Sequence, residues 1–247
     1  QAVPIAQTLR WDVAAVWHEI RQGLALLSRR HGRPDSVGVD SWGVDYVLTR
    51  GAEPLLTLPF HYRDGRCVGA IERAEPKVNR GEIFAETGIQ FMPINTIYQL
   101  HEDVTRRGDI LRFADRLLLI ADYFNWLLSG VPRAEETLAS TTQLYNPRTR
   151  GWSGKLADKL GIPKTLLPSI VPAGTVLEVV EPGVADDCGL GQAKVIATCS
   201  HDTAAAVAAV PATGAGKWAY LSSGTWSLLG AELPSPVITP EAQKLNF

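Results

Sequence analysis

Methionine is almost missing from this chain, with one in 247 residues, and cysteine occurs only three times, at Cys67, Cys188 and Cys199, with no CxxC pair. An odd count without framework spacing excludes a disulfide-stapled scaffold and points to free thiols in a reducing compartment. The five histidines, His18, His31, His61, His101 and His201, are scattered, and none stands at ligand spacing from another His or Cys, which argues against a structural zinc site. No apolar run reaches the roughly 18 residues of a membrane span, and no charged-then-apolar leader opens the chain, so a cytoplasmic protein without a membrane partner is expected. Neither charge sign is in excess. Lys plus Arg is 24 and Asp plus Glu is 26, for a net charge of −2, which excludes a basic nucleic-acid binder. With 45% hydrophobic and 20% charged residues the chain is no disordered tail, and its length suffices for a sizeable core in one large domain or two small ones.

Some familiar motifs are lacking too. Gly189 and Gly191 open a GxG, but the third glycine of a dinucleotide fingerprint is missing and the pair precedes a strand. Gly214, Gly216 and Lys217 resemble the end of a P-loop, yet the upstream glycine is absent and Trp218 stands where Ser or Thr belongs. No GxSxG elbow exists, so an α/β-hydrolase would have no nucleophile.

What is present alternates. Asp12 reads as an N-cap, Val13, Val16, Trp17, Ile20, Leu24 and Leu27 follow at helical spacing, and Gly32 sits where a C-cap glycine belongs. The first ten residues read as irregular. Strands are expected over 36–40, 44–49 and 55–58, and again over 175–180, 194–198, 218–221 and 226–231. Helical pieces are expected over 67–74, 81–86, 96–106, 123–128, 135–142 and 153–160, with a small-residue helix over 202–210. Strands alternating with helices predict a layered α/β fold. The Pro211–Gly216 stretch reads as a linker.

Four segments carry candidate chemistry. VDSWGVD (39–45) follows a strand, at the sheet edge where open α/β folds bind ligands. Gly43 permits close backbone approach and Trp42 offers an apolar face to a sugar ring, although from these residues alone a tight turn with a core Trp is the stronger reading. SHDT (200–203) lies between a strand and a helix. Asp202 is there either an N-cap or an ionised carboxylate that orients a hydroxyl and takes its proton, with His201 and Thr203 bonding neighbouring hydroxyls. LSSGTW (221–226) is an ordinary hairpin turn or a phosphate-facing loop; Asp202 and Thr225 bracket one helix and one strand, so both can border a single cleft. The loop 86–100 holds Gln90 and Asn95, polyol-facing groups or packing and capping residues.

In this order, VDSWGVDYVL, PFHYRDGR, ETGIQFMPINTIYQL, LLIADYFNWLLSG, STTQLYNP, SHDTAAAV and AYLSSGTWSL resemble segments of the FGGY family of carbohydrate kinases, most closely its members that act on L-rhamnulose. The resemblance implies a ribonuclease H-like fold of the actin and Hsp70 ATPase type, two such domains flanking a cleft. It implies transfer of a phosphoryl group from ATP, with Mg²⁺, to L-rhamnulose or another ketose. By motif position it makes Asp202 the catalytic base, and Gly43, Trp42, His201, Asp202 and Thr203 sugar contacts. Thr225 falls on a phosphate loop near ATP. It also implies a division into 1–210, the sugar-binding domain, and 211–247, a linker with the first hairpin of the nucleotide domain. Family members carry a DLGASSGR-like first phosphate loop that nothing here matches, and continue past Phe247, so the chain as given is expected not to turn over. A non-catalytic sugar-binding module is the alternative of another class.

Overall fold

The computed structural model describes residues 2–212, 218–224 and 227–246, so Thr225 and Trp226, and with them the expected ATP contact, lie outside the described residues. The chain opens on a hairpin of β1 (Ala2–Ile5) and β2 (Thr8–Trp11), where an irregular segment was expected. Its partners are distant in sequence. Leu9 N–H donates to Asp64 Oδ2 at 2.6 Å, Trp11 N–H to the Pro59 carbonyl at 2.9 Å and His61 N–H to the Leu9 carbonyl at 3.0 Å. Four-residue strands owe little to local preference, so no sequence period marks this pair.

Helix α1 (Val13–His31) has the ends its sequence announces. Asp12 accepts from Ala15 N–H at 2.9 Å, Gly32 closes the helix at φ +84°, and Arg29, Arg30 and His31 sit at the negative end of its dipole. Then come β3 (Ser36–Val37) and β4 (Tyr46–Thr49), both shorter than expected. Residues 55–58 form no strand: Pro54 and Pro59 withhold ladder donors at both ends, and Leu56 alone reaches the Leu48 carbonyl, at 3.1 Å.

Helices α2 (Ala70–Ala74), α3 (Arg80–Thr87) and α4 (Thr96–Phe113) follow. Residues 96–103 of α4 are buried all round, so it runs through the core, and it kinks at Arg107 (φ −139°), next to the end expected from the sequence. β5 (Arg116–Leu119) pairs antiparallel with β4 and leads directly into α5 (Ile120–Ser129). Short pieces come next: β6 (Ala134–Glu135), α6 (Glu136–Ser140), β7 (Tyr145–Asn146), β8 (Gly151–Trp152), α7 (Gly154–Leu160) and β9 (Ile170–Val171).

β10 (Thr175–Val179) and α8 (Pro182–Cys188) precede β11 (Lys194–Ala197), which lies between antiparallel β10 and parallel β3. α9 (Asp202–Ala208), the hairpin β12 (Ala219–Ser223) with β13 (Ser227–Ala231) and α10 (Pro240–Lys244) complete the chain. α10 returns to the first part of the molecule, where Asn246 accepts from Phe91 N–H at 3.1 Å and Ile238 packs against Gly88. No helix among the described residues is long and apolar enough to cross a membrane. Cys67 and Cys188 are buried free thiols and Cys199 is half-buried and free.

Candidate functional site

Two chain reversals meet beyond the ends of β3 and β11. After two paired residues the strands part, then rejoin as a parallel bridge between Ser41 and His201. Ser41 N–H donates to the Ser200 carbonyl and Asp202 N–H to the Ser41 carbonyl, each at 2.9 Å. The bridge sets the backbone of Trp42 beside that of Asp202, bringing together the 39–45 and 200–203 motifs.

Asp202 is the first residue of α9, and His201 takes the cap position without a side-chain bond. The carboxylate is turned outward. Its side chain is 53% exposed, and one oxygen, Oδ1, accepts from Thr203 N–H at 2.6 Å and faces His201 Nε2 at 3.5 Å. Asp202 thus bonds the N–H of the residue next to it from within the first turn, and the N-cap position itself belongs to His201. Burial of the His201 ring lowers its pKa, against the smaller opposing pull of Asp202 and Glu135. Thr203, half-buried, keeps its hydroxyl 3.3 Å from Asp202 Oδ1.

The other lip is a sharp turn. Asp45 N–H donates to the Gly43 carbonyl at 2.9 Å, bridging only Val44, which stands at φ +66°. A β-branched residue there is strained, in the rarer kind of γ-turn, and persists only when its surroundings over-determine it. Here they do: Val44 N–H donates to Thr141 Oγ1 (3.1 Å), and its carbonyl accepts from Thr96 Oγ1 (2.7 Å) and Gln99 Nε2 (3.2 Å). This turn delays β4 to Tyr46. Gly43 has a reason apart from any ligand: a Cβ there would lie 2.6–2.8 Å from the Thr141 side chain.

Trp42 is half-buried and forms one end of an aromatic row. Its ring lies 4.2 Å from that of Trp11, Trp11 stacks on His61 at 4.2 Å, and His61 meets Tyr62 at 4.5 Å. Asp45, fully buried, holds the row in place. Its Oδ2 accepts from Trp11 Nε1 (2.5 Å), Tyr62 N–H (3.1 Å) and Trp42 Nε1 (3.2 Å), and its Oδ1 from Gln99 Nε2 (3.0 Å). The Gln99 amide cannot turn over, because its Oε1 accepts from Arg66 at 2.7 Å. Asp45 and Trp11 were not among the residues singled out in the sequence. The WxxD spacing of Trp42 and Asp45 was visible, but Trp11 comes from the hairpin that no pattern announced.

Burial pushes the Asp45 carboxyl up to about 6, against the pull of its four donors. A group whose pKa rises on folding favours the folded state most below its unfolded value, 3.8, and this advantage fades as pH climbs through about 6. Denaturant titrations of wild type and Asp45→Asn between pH 4 and 8 are expected to diverge accordingly. The wild type loses on the order of 1–3 kcal/mol relative to the variant as pH rises. A pH-independent difference overturns the assignment.

Asn95 is completely buried, donating to the Gln90 carbonyl (2.9 Å) and Gln143 Oε1 (3.0 Å), so it ties the 86–100 loop inward instead of facing a polyol. A surface hollow of about 390 Å³ lies elsewhere, between α1 and α8, and is lined by Ser28, Arg29, Arg33 and Asp187. It shares no residue with the motifs, and its charges are exposed on both sides.

The N-terminal domain of the FGGY family of carbohydrate kinases matches residues 1–209. Rhamnulokinases of Enterococcus faecalis and Bacteroides thetaiotaomicron are each 41% identical, over 96% of this chain and 47% and 49% of their own length. The chain thus spans about half the length of the curated relatives it matches. Among solved structures, a carbohydrate kinase from Novosphingobium aromaticivorans superposes with a TM-score of 0.81 at 24% identity, covering 97% of this chain and 50% of that one. A ligand-bound xylulose kinase from Lactobacillus acidophilus gives 0.74 at 19% identity, over 80% of this chain and 41% of that one. The α/β fold is accordingly the ribonuclease H-like one of the sugar kinases, and the chain belongs to the FGGY family of carbohydrate kinases.

Proposed function

We propose that the whole protein phosphorylates L-rhamnulose at its 1-hydroxyl, with MgATP as the second substrate. The observation that carries this is the outward carboxylate of Asp202, set next to the 39–45 turn by the Ser41–His201 bridge, in a chain 41% identical to rhamnulokinases along nearly all its length. Asp202 orients the hydroxyl and takes its proton as the oxygen attacks the γ-phosphorus and the bond to the ADP oxygen breaks. His201 and Thr203 bond neighbouring hydroxyls, the Gly43 turn approaches the sugar with its backbone, and Trp42 covers its apolar face.

The described residues offer no group of three His, Cys, Asp or Glu side chains that could hold a metal. Magnesium enters this reading with the nucleotide substrate, held chiefly by its phosphates. In the whole protein Thr225 approaches ATP, and the sugar-binding domain ends near residue 210.

The test is a panel of ketoses with the full-length protein. L-Rhamnulose is expected to give the highest kcat/KM, and a clear preference for xylulose, ribulose or fuculose replaces the substrate. Sugar binding without any turnover in the full-length protein would favour the non-catalytic module.

A further inference from the structure

Both turns of the candidate site are fastened to one short segment, Glu135–Thr141, of which only Ser140 and Thr141 fall within a segment quoted for the resemblance. Glu135 is fully buried at the start of α6. Its Oε1 accepts from Thr137 N–H at 3.0 Å, and its Oε2 from Leu138 N–H at 3.1 Å. Those two bonds complete an N-cap. The same Oε2 does more: it also takes the Thr137 hydroxyl at 2.5 Å and the backbone N–H of Ser200 at 3.1 Å. The Thr137 oxygen in turn accepts from the backbone N–H of His201 at 3.2 Å. The two peptide groups before Asp202 are thus held by side chains of a different part of the chain.

Four residues on, Thr141 holds the opposite lip. Its hydroxyl donates to the Leu138 carbonyl at 2.8 Å and accepts from Val44 N–H at 3.1 Å, and its side chain fills the place a Gly43 Cβ would need. One helix of five residues therefore fixes the positive-φ turn on one side and the approach to Asp202 on the other. Capping alone requires neither the Ser200 bond nor the His201 bond.

We propose that Glu135, Thr137 and Thr141 form a polar clamp that sets the separation between Asp202 and the Trp42–Gly43 wall, and that Thr137 is a positioning residue for phosphoryl transfer. The inference rests on the reading of Asp202 as the base. Thr137 touches no reacting atom. It acts by denying the Ser200–His201 backbone the freedom to shift, and displacements of about 1 Å at a reacting centre cost up to roughly a hundredfold in rate.

Thr137→Val keeps the shape and removes the hydroxyl's bonds to Glu135 and from His201 N–H, together with the longer one from Cys199 Sγ at 3.9 Å. In the full-length protein it is expected to lower kcat by about 10- to 100-fold. Thr137→Ser, which keeps the hydroxyl, is expected to restore at least half of the wild-type kcat. Thr105→Val is the stability control, since the Thr105 hydroxyl, like that of Thr137, is spent within the protein, on the His101 carbonyl at 2.9 Å, but lies away from both turns. A comparable drop in melting temperature with unchanged kcat is expected there.

The decisive measurement combines Thr137→Val with Asp202→Asn. Because Thr137 acts through Asp202, its substitution should cost less than about threefold once the carboxylate is gone. Full additivity, or wild-type kcat in Thr137→Val alone, overturns the clamp while leaving the base assignment intact. Wild-type turnover in Asp202→Asn alone overturns the base assignment instead. Should Thr137→Val fail to fold, Glu135→Gln is read in the same cycle with the same expected non-additivity.

Discussion

Asp202→Asn in the full-length protein is expected to lower kcat on the order of 10²–10⁴-fold, the usual contribution of a general base. The amide keeps the size and still accepts from Thr203 N–H at the start of α9, so the helix end survives. What it loses is the capacity to take a proton. Sugar affinity, followed through the fluorescence of the neighbouring Trp42, should change by less than about tenfold, because an amide hydrogen-bonds a hydroxyl as a carboxylate does. The split matters more than the size of the loss. A fall in kcat with sugar binding preserved identifies proton transfer, whereas collapse of both identifies a damaged cleft. Near-normal turnover would remove Asp202 from the chemistry.

The second large effect falls on stability and lies away from the cleft. Asp103, buried on α4, accepts from Arg66 Nη1 at 2.6 Å, from Arg107 at 3.4 Å and from the Tyr46 hydroxyl at 2.6 Å. The Arg66 side chain is only 8% exposed and that of Asp103 3%, so neither charge has water to fall back on. Asp103→Ala leaves a buried phenol without its acceptor and a buried guanidinium without its carboxylate partner, holding only the Gln99 carbonyl. Removing one member of such a pair costs about 3–5 kcal/mol. Chemical denaturation should show that loss, and Asp103→Asn, which can still accept from Arg66 or Tyr46, should lose less. Equal, small losses in both variants would show that the interior repacks around the missing charge. The phenol reports independently, since burial and the Asp103 charge hold the Tyr46 pKa well above its ordinary value in the intact protein.

The parts of this fold that could be read from letters are those where a local rule and the tertiary structure agree. Helix α1 is the clearest, with Asp12, an amphipathic stripe and Gly32 all consistent. Asn79, Ser153 and Gly161 likewise cap the helices expected beside them. The misses share a cause. The β1–β2 hairpin, β5 and α8 are short, and their stability comes from partners far along the chain. Leu117, Leu118 and Leu119 in β5 are buried on both faces and show no alternation to betray a strand.

The candidate site divides in the same way. Trp42, Gly43, His201, Asp202 and Thr203 stood out because their residue types and positions after strands suit ligand contact, and the Ser41–His201 bridge brings them to one place. Glu135 and Thr137 did not, because a residue that holds another residue carries no signature in its own neighbourhood, and Asp45 and Thr141, though inside quoted segments, carried no role that their own neighbours could reveal. Glu135 looks like any helix-opening acid until Ser200 is seen to lie against it.

The hairpin at the start of the chain has a practical bearing. Arg10 lies 3.3 Å above one face of Phe60 and Arg66 3.6 Å from the same ring, while Leu9 and Trp11 are bonded across to Asp64, Pro59 and Asp45. Strand β2 is therefore masonry, not a fringe: the indole of Trp11 is a brick in the row that ends at Trp42. Protease nicking or an affinity tag fused just ahead of Asp12 would be felt at Trp42, and in amide exchange Leu9 and Trp11 should be slower than the exposed turn between β1 and β2.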